Sequence, residues 1–170
     1  MEILIRPVET KDAPAINSIR REHGVMENML AYPSERVARM EGIIRNLDDN
    51  SHEFVAVAVH EDGTEEIAGM AGLHVGQSPR LRHSAGIGIM VAGKFQGQGV
   101  GRRLMETLLD MADNWLMLAR VELEVYTDNQ KAIHLYEKMG FEIEGVRRKA
   151  SVRNGVLADE YLMSRIKEWK

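Results

Sequence analysis

"GKFQGQGVGRRL", Gly93 to Leu104, places four glycines, two glutamines and three cations in twelve residues directly after an apolar run. Glycines at this density let a backbone approach a ligand closely, and a close approach followed by a helix start suits a phosphate. Three phosphate loops compete for the pattern. "GIMVAGKF", Gly88 to Phe95, matches the G-x-x-x-x-G-K of a nucleotide P-loop. The next position must then carry a hydroxyl for magnesium, but it is Phe95, and the helix starts too late, after Gly99. A dinucleotide fingerprint needs G-x-G-x-x-G, whereas Gly97, Gly99 and Gly101 are spaced by two and two. The pattern Q-x-x-G-x-G is met by Gln96, Gly99 and Gly101. In that reading the successive backbone N–H groups of Gly97, Gln98, Gly99, Val100, Gly101 and Arg102 wrap a pyrophosphate, helped by the helix dipole. Arg102 and Arg103 oppose that dipole in the first turn, a conflict that a bound polyanion relieves.

Working outward, Val100, Leu104, Leu108, Met111, Trp115 and Leu118 step by three and four, the stripe of a long helix with all six facing the core. "RVELEVY" reads as a strand, and Asp128 or Asn129 caps a helix with Ala132, Ile133, Tyr136 and Met139 on one side and Gly140 at its end. "FEIEGVRRKASV" and "LADEYLMSRI", joined by "RNG", form a closing hairpin. Upstream, "EFVAVAVH", "EIAGMAGLHVG" and "HSAGIGIMV" make an antiparallel meander, in which Gly86 and Gly88 weaken their strand and so mark a bulge or a close approach. Before it come a strand from Glu2 to Arg6 and two helices. Asp12 and Pro14 start the first, with Ile16 and Ile19 inward; Ser34 caps the second, with Val37, Met40, Ile44 and Leu47 inward. The order β-α-α-β-β-β-α-β-α-β-β implies an α/β fold, a mixed central sheet with helices on both faces, as one domain over residues 1–170.

Composition narrows the function classes. A net charge of −4 argues against a nucleic-acid partner, and the basic run "RRKASVR", Arg147 to Arg153, has no interleaved aromatics and reads as a solvated strand face. With no cysteine the chain has neither disulfides nor a thiolate nucleophile, and six histidines without H-x-H or H-E-x-x-H spacing predict no metal. The longest apolar run, Phe54 to Val59, is too short to span a bilayer, and the N-terminus lacks the apolar core of a signal peptide. The expectation is a cytoplasmic protein with no membrane partner.

"VAGKFQGQGVGRRLMETLL", Val91 to Leu109, resembles motif A of the GNAT superfamily of N-acetyltransferases. "VELEVYTDNQKAIHLYEKMGFEIEG", Val121 to Gly145, resembles motif B, with its N-x-x-A-x-x-x-Y-x-x-x-G-F spacing. "DNWL", "VELEV", "DNQKAI", "GFEIEG" and "RNG" are most similar to bacterial amino-acid N-acetyltransferases. The resemblance implies the GNAT fold, splayed between strands 4 and 5, and acetyl-CoA as co-substrate. Its pantetheine arm would lie against the backbone of Ile89, Met90 and Val91, with the pyrophosphate on Gln96 to Arg102 and Asn129 in contact with the cofactor. Tyr136 matches the tyrosine that protonates the departing thiolate, and a backbone N–H near Val91 would face the oxyanion. Without a cysteine, direct transfer in a ternary complex is favoured.

The proton acceptor is open. The histone-type members carry a glutamate in the fourth strand, and "SAGIGIMV" has no acid. Glu124 stands five residues before Asn129, where the ribosomal-protein alanine acetyltransferases have theirs; Glu122 and a water relay are alternatives, with His74 and His83 behind them. The implied activity is acetylation of the amine of a small molecule, an amino acid or close analogue. Alternatives are a protein or peptide N-terminal acetyltransferase and a non-catalytic acyl-CoA-binding regulatory domain. Acceptor specificity would lie in the loop from Glu22 to Ser34, the "QSPRLRHS" turn and the last hairpin. Arg80, Arg82 or Arg20 would serve an acceptor carboxylate. Many GNAT enzymes are homodimers, although nothing in the sequence shows an interface.

Overall fold

The computed structural model describes residues 1–169. β1 (Glu2–Pro7) leads through a short 3-10 turn into α1 (Ala13–Arg20), and α2 (Val37–Arg45) follows a long loop. β2 (Ser51–Val59), β3 (Glu65–Val75) and β4 (Ser84–Val91) form the expected antiparallel meander, and β1 adds to its outer edge against β2. α3 (Val100–Asp110), β5 (Arg120–Tyr126), α4 (Gln130–Lys138), β6 (Glu142–Arg153) and β7 (Val156–Ile166) complete a seven-stranded sheet of order β1-β2-β3-β4-β5-β7-β6. Among the described residues only β4 and β5 pair in parallel. Val55, Ala56, Val57 and Ala58 are consecutive and all buried. Neighbouring Cβ atoms of a strand point to opposite faces, so both faces are covered.

Two cation–carboxylate pairs fix the N-terminal helices. Arg6 forks onto Asp12 through two 2.8 Å bonds, so the Asp12 carboxylate is spent on β1 and on the Glu9 N–H instead of capping α1. Arg20 forks onto the buried Glu35 at 2.7 and 2.9 Å. Glu35, next to Ser34, is turned onto Arg20, and α2 starts later than expected: Arg36, not Ser34, is its N-cap residue, and Leu47 lies beyond its end.

The helix after the glycine loop departs from its sequence pattern. Val100, Leu104, Leu108 and Leu118 are buried as expected, but Trp115 is 74% exposed. α3 stops at Asp110 and a π-turn takes over from Met111 to Trp115, where the Leu116 N–H donates to the Met111 carbonyl at 3.1 Å. A π-turn inserts one extra residue per turn and rotates everything after it. Ala112, four residues after Leu108, stays in the core, and Trp115 is carried out of it, its indole N–H reaching Asp110 at 3.3 Å.

The last hairpin closes through Asn154 and Gly155, both at positive φ as a two-residue primed turn requires. It folds back so that its second strand, β7, lies beside β5 and β6 becomes the edge. Among the described residues no helix is long and apolar enough to cross a membrane.

Candidate active site

β4 pairs with β5 only from Ser84–Arg120 to Gly86–Glu122, while on its other side it stays paired with β3 as far as Val91. Past Gly86 the two strands part, and the β4 edge facing β5 has no sheet partner for its backbone groups. Buried backbone groups do not stay unpaired, so this edge is suited to a ligand. A cavity of about 940 Å³ opens there, lined by Gly86 to Val91 of β4, Glu122 to Tyr126 of β5, Asn129 at the start of α4 and Tyr136 within it, and the loop from Gly24 to Leu30. A Cβ added at Gly86 or Gly88 would meet nothing within 4 Å. These glycines border open space; their missing side chains keep the gap clear.

The glycine loop closes one end. Gly97 and Gly99 have φ of +75° and +82°, the left-handed region that side chains disfavour. Gly99 is the N-cap residue of α3 and has no side chain to occupy the first-turn N–H groups, which leaves them for an anion. The glutamines tie the loop to itself: Gln96 Nε2 donates to the Val91 carbonyl at 3.1 Å and Gln98 Nε2 to the Lys94 carbonyl at 2.7 Å. Of the expected pyrophosphate residues, Gln96, Gly97 and Gly101 line the cavity together with Ile89, Met90 and Val91, whereas Gln98, Gly99, Val100 and Arg102 do not. The Val100 side chain is core, and Arg102 turns along the helix to Glu106 at 2.8 Å. That pair eases the charge conflict read from the first turn.

Asn129 caps α4, its Oδ1 accepting the Ala132 N–H at 3.2 Å. Two turns on, Tyr136 is buried with its ring 6.0 Å from that of Phe141. Its hydroxyl makes no hydrogen bond among the described residues, and burial pushes its pKa above the ordinary phenol value, so it stays an O–H donor. α4 ends in a Schellman motif: the Phe141 N–H bonds the Tyr136 carbonyl and Gly140 the Glu137 carbonyl, both at 3.0 Å, with Gly140 at φ +88°.

Both candidate acids of β5 line the cavity. Arg120 Nε donates to Glu122 at 2.7 Å and forks onto Glu144, whose carboxyl it and Ser164 hold down at about 2. Glu124 is paired with Arg147. A third acid was not foreseen. Glu160 of β7 is 8% exposed, lines the same wall, and is held by a 3.3 Å bond from Ser151 and a 3.5 Å contact with Arg147. Its sequence signal was an acid at an alternate position of "LADEYLM", opposite Tyr126 in the sheet register.

His74 also lines the cavity, its Nε2 2.9 Å from the half-buried Glu53, whose hydrogen bond raises the imidazole pKa. His83 does not line it. The cations expected for an acceptor carboxylate are elsewhere. Arg20 is committed to Glu35, Arg82 donates to Asn50 at 3.0 Å, and neither these nor Arg80 borders the cavity. The loop from Glu22 to Ser34 does reach it, through Gly24 to Leu30.

The acetyltransferase (GNAT) family matches residues 16–141. Over 98% of its length the chain is 39% identical to the L-amino acid N-acetyltransferase AaaT of Escherichia coli (strain K12), of which 99% is covered. It is also 39% identical, over 64% of each chain, to the N-alpha-acetyltransferase RimI of Mycobacterium tuberculosis. The crystal structure of spermidine N-acetyltransferase from Vibrio cholerae in complex with CoA and spermine superposes with a TM-score of 0.82 at 26% identity, covering 96% of this chain and 95% of that one. Enzymes of the family use acetyl-CoA, and the parted strands and open glycine loop are the features such a donor needs. The chain belongs to the acetyltransferase (GNAT) family and is an N-acetyltransferase.

Proposed function

We propose that this enzyme acetylates the amine of a small molecule, an amino acid, with acetyl-CoA as donor. The observation that carries the reading is the gap between β4 and β5, open from Gly86 onward between the glycine loop at one end and carboxylates at the other. The similarity to the Escherichia coli L-amino acid N-acetyltransferase supports the choice of acceptor. Bound acetyl-CoA supplies an activated acyl group and a thiolate leaving group. The chain supplies the rest. The N–H groups at the start of α3, from Gly97 to Arg102, hold the pyrophosphate, and the free edge of Ile89, Met90 and Val91 positions the pantetheine amides and polarises the carbonyl. Asn129 fixes the α4 end beside the donor. Tyr136, kept protonated by burial, gives its proton to the leaving sulfur.

An amine at neutral pH is mostly protonated and must lose a proton before it attacks. Glu124, 51% exposed on the cavity wall, accepts it. Glu122 is the alternative acid; each of the two has an arginine partner, Arg120 for Glu122 and Arg147 for Glu124. Release of free CoA thiol, followed with acetyl-CoA held constant across a panel of L-amino acids, diamines and short peptides, tests the reading. Turnover with amino acids is expected. Turnover confined to peptides would make this an N-terminal acetyltransferase, and tight acetyl-CoA binding with no turnover would make it a sensor.

A further inference from the structure

Arg147 belongs to the basic run that reads in sequence as a solvated strand face, and the structure gives it another setting. β6 is bulged against β7 between Arg147 and Ser151: Arg147 pairs in register with Glu160, and Ser151 with Ala158. Bulges re-aim side chains. Here the bulge turns Arg147 and Ser151 toward the same carboxylate, Glu160, at 3.5 and 3.3 Å. The Arg147 Nη1 also meets Glu124. One guanidinium thus sits between two carboxylates that line the cavity, and reaches the cavity through them, without being a lining residue itself. Its Nε and Nη2 donate no hydrogen bond among the described residues, and the side chain is 48% exposed.

An α-amino acid carries its ammonium and carboxylate on one carbon, and so needs a cation and an anion side by side. Arg147 with Glu124 and Glu160 is that arrangement. An arginine with two unused donors in a fixed fork takes a carboxylate through paired hydrogen bonds. Arg20 is committed to Glu35, Arg82 to Asn50, and Arg120 to Glu122 and Glu144, while Lys131, which lines the cavity, is a point charge without a fork.

Resting on the amino-acid reading above, we propose that Arg147 is the specificity-determining residue that binds the acceptor's α-carboxylate, positioned by Glu124 and Glu160. The acceptor amine then falls beside Glu124, its proton acceptor. Acceptors lacking a free α-carboxylate are selected against.

The test compares L-leucine with L-leucinamide, chosen because Val25, Met29, Leu30 and Leu162 line the cavity. Acetyl transfer to each is measured for the wild type, Arg147→Gln and Arg147→Lys, with unfolding midpoints as a folding control. The amide has the less basic amine, so intrinsic reactivity at neutral pH favours it. The wild type is expected nevertheless to prefer leucine in kcat/KM by about 10- to 100-fold, the scale of a charge-assisted pair. Arg147→Gln should abolish that preference through the KM for leucine, with leucinamide turnover falling much less. Arg147→Lys, which keeps the charge and loses the fork, should retain part of it. Damage to the fold lowers both acceptors together and leaves their ratio in place.

A ratio that is the same in the wild type and Arg147→Gln, or a wild type indifferent to the carboxylate, would overturn the assignment and leave the amino-acid reading standing. A wild type that acetylates only diamines or peptides removes both.

Discussion

Gly86 of β4 is paired with Glu122 of β5, and no residue of β4 beyond Gly86 is paired with β5. This register step opens the sheet. On one side of it the strands are ordinary parallel neighbours; on the other, the same β4 backbone is a wall of the cavity, and Glu122 and Glu124 continue along the facing wall. A glycine at the step and another two residues on keep side chains out of the gap.

The second of these glycines separates function from stability. A Cβ at Gly88 meets nothing within 4 Å, so Gly88→Leu should fold, with an unfolding free energy within about 0.5 kcal/mol of wild type. Its side chain would occupy the gap, so calorimetric binding of CoA should be lost. Normal CoA binding by this variant would mean that the donor lies elsewhere.

Acid should destabilise the protein in a defined window. Hydrogen bonds from Arg120 and Ser164 hold Glu144 at about 2; Arg20 lowers Glu35, and Arg165 lowers Asp113. Folded values below the unfolded ones, which lie near about 4, contribute stability that is present above that pH and lost as pH falls through the folded values. The carboxylate contribution to the urea midpoint should therefore hold steady from about pH 7 to 5 and fall between about pH 4.5 and 2. His74 has the opposite sign. Its pKa is raised by the Glu53 hydrogen bond, so its contribution is complete below about pH 6.5 and fades as pH climbs through the raised value. An unchanged midpoint at about pH 3 would contradict the carboxylate assignments.

The π-turn predicts an asymmetry between two members of one sequence stripe. Leu108 is fully buried and Trp115 is 74% exposed. Leu108→Ala should cost about 2–5 kcal/mol by chemical denaturation, and Trp115→Ala less than about 0.5 kcal/mol. Equal costs would mean that α3 continues as a regular helix through Trp115.

What could be read from sequence was whatever depends on local spacing. The helix start after Gly99, the Asn129 cap, the Gly140 terminus and the two-residue turn at Asn154 are each set within a few residues, and all four stand as expected. The misses are non-local. Trp115 left the core because one extra residue in a turn outweighed a regular three-four pattern. Ser34 is not the cap of α2, whose N-cap is Arg36, and its neighbour Glu35 is held by a pair formed across fifteen residues, with Arg20. Glu160 and Arg147 went unseen as site residues because their convergence depends on β7 lying beside β5 and on a bulge in β6. No spacing rule carries either fact.

The most direct test of the account is acetyl transfer by Tyr136→Phe. The hydroxyl has no protein partner among the described residues, so removing it should leave both the unfolding midpoint and acetyl-CoA affinity near wild type. Turnover, followed as CoA thiol release, should fall by about 100-fold, as expected for the loss of a general acid. Wild-type turnover by Tyr136→Phe at about pH 7 and again at about pH 9 would contradict the assignment of the proton donor, and with it the placement of the leaving sulfur at the α4 end of the gap.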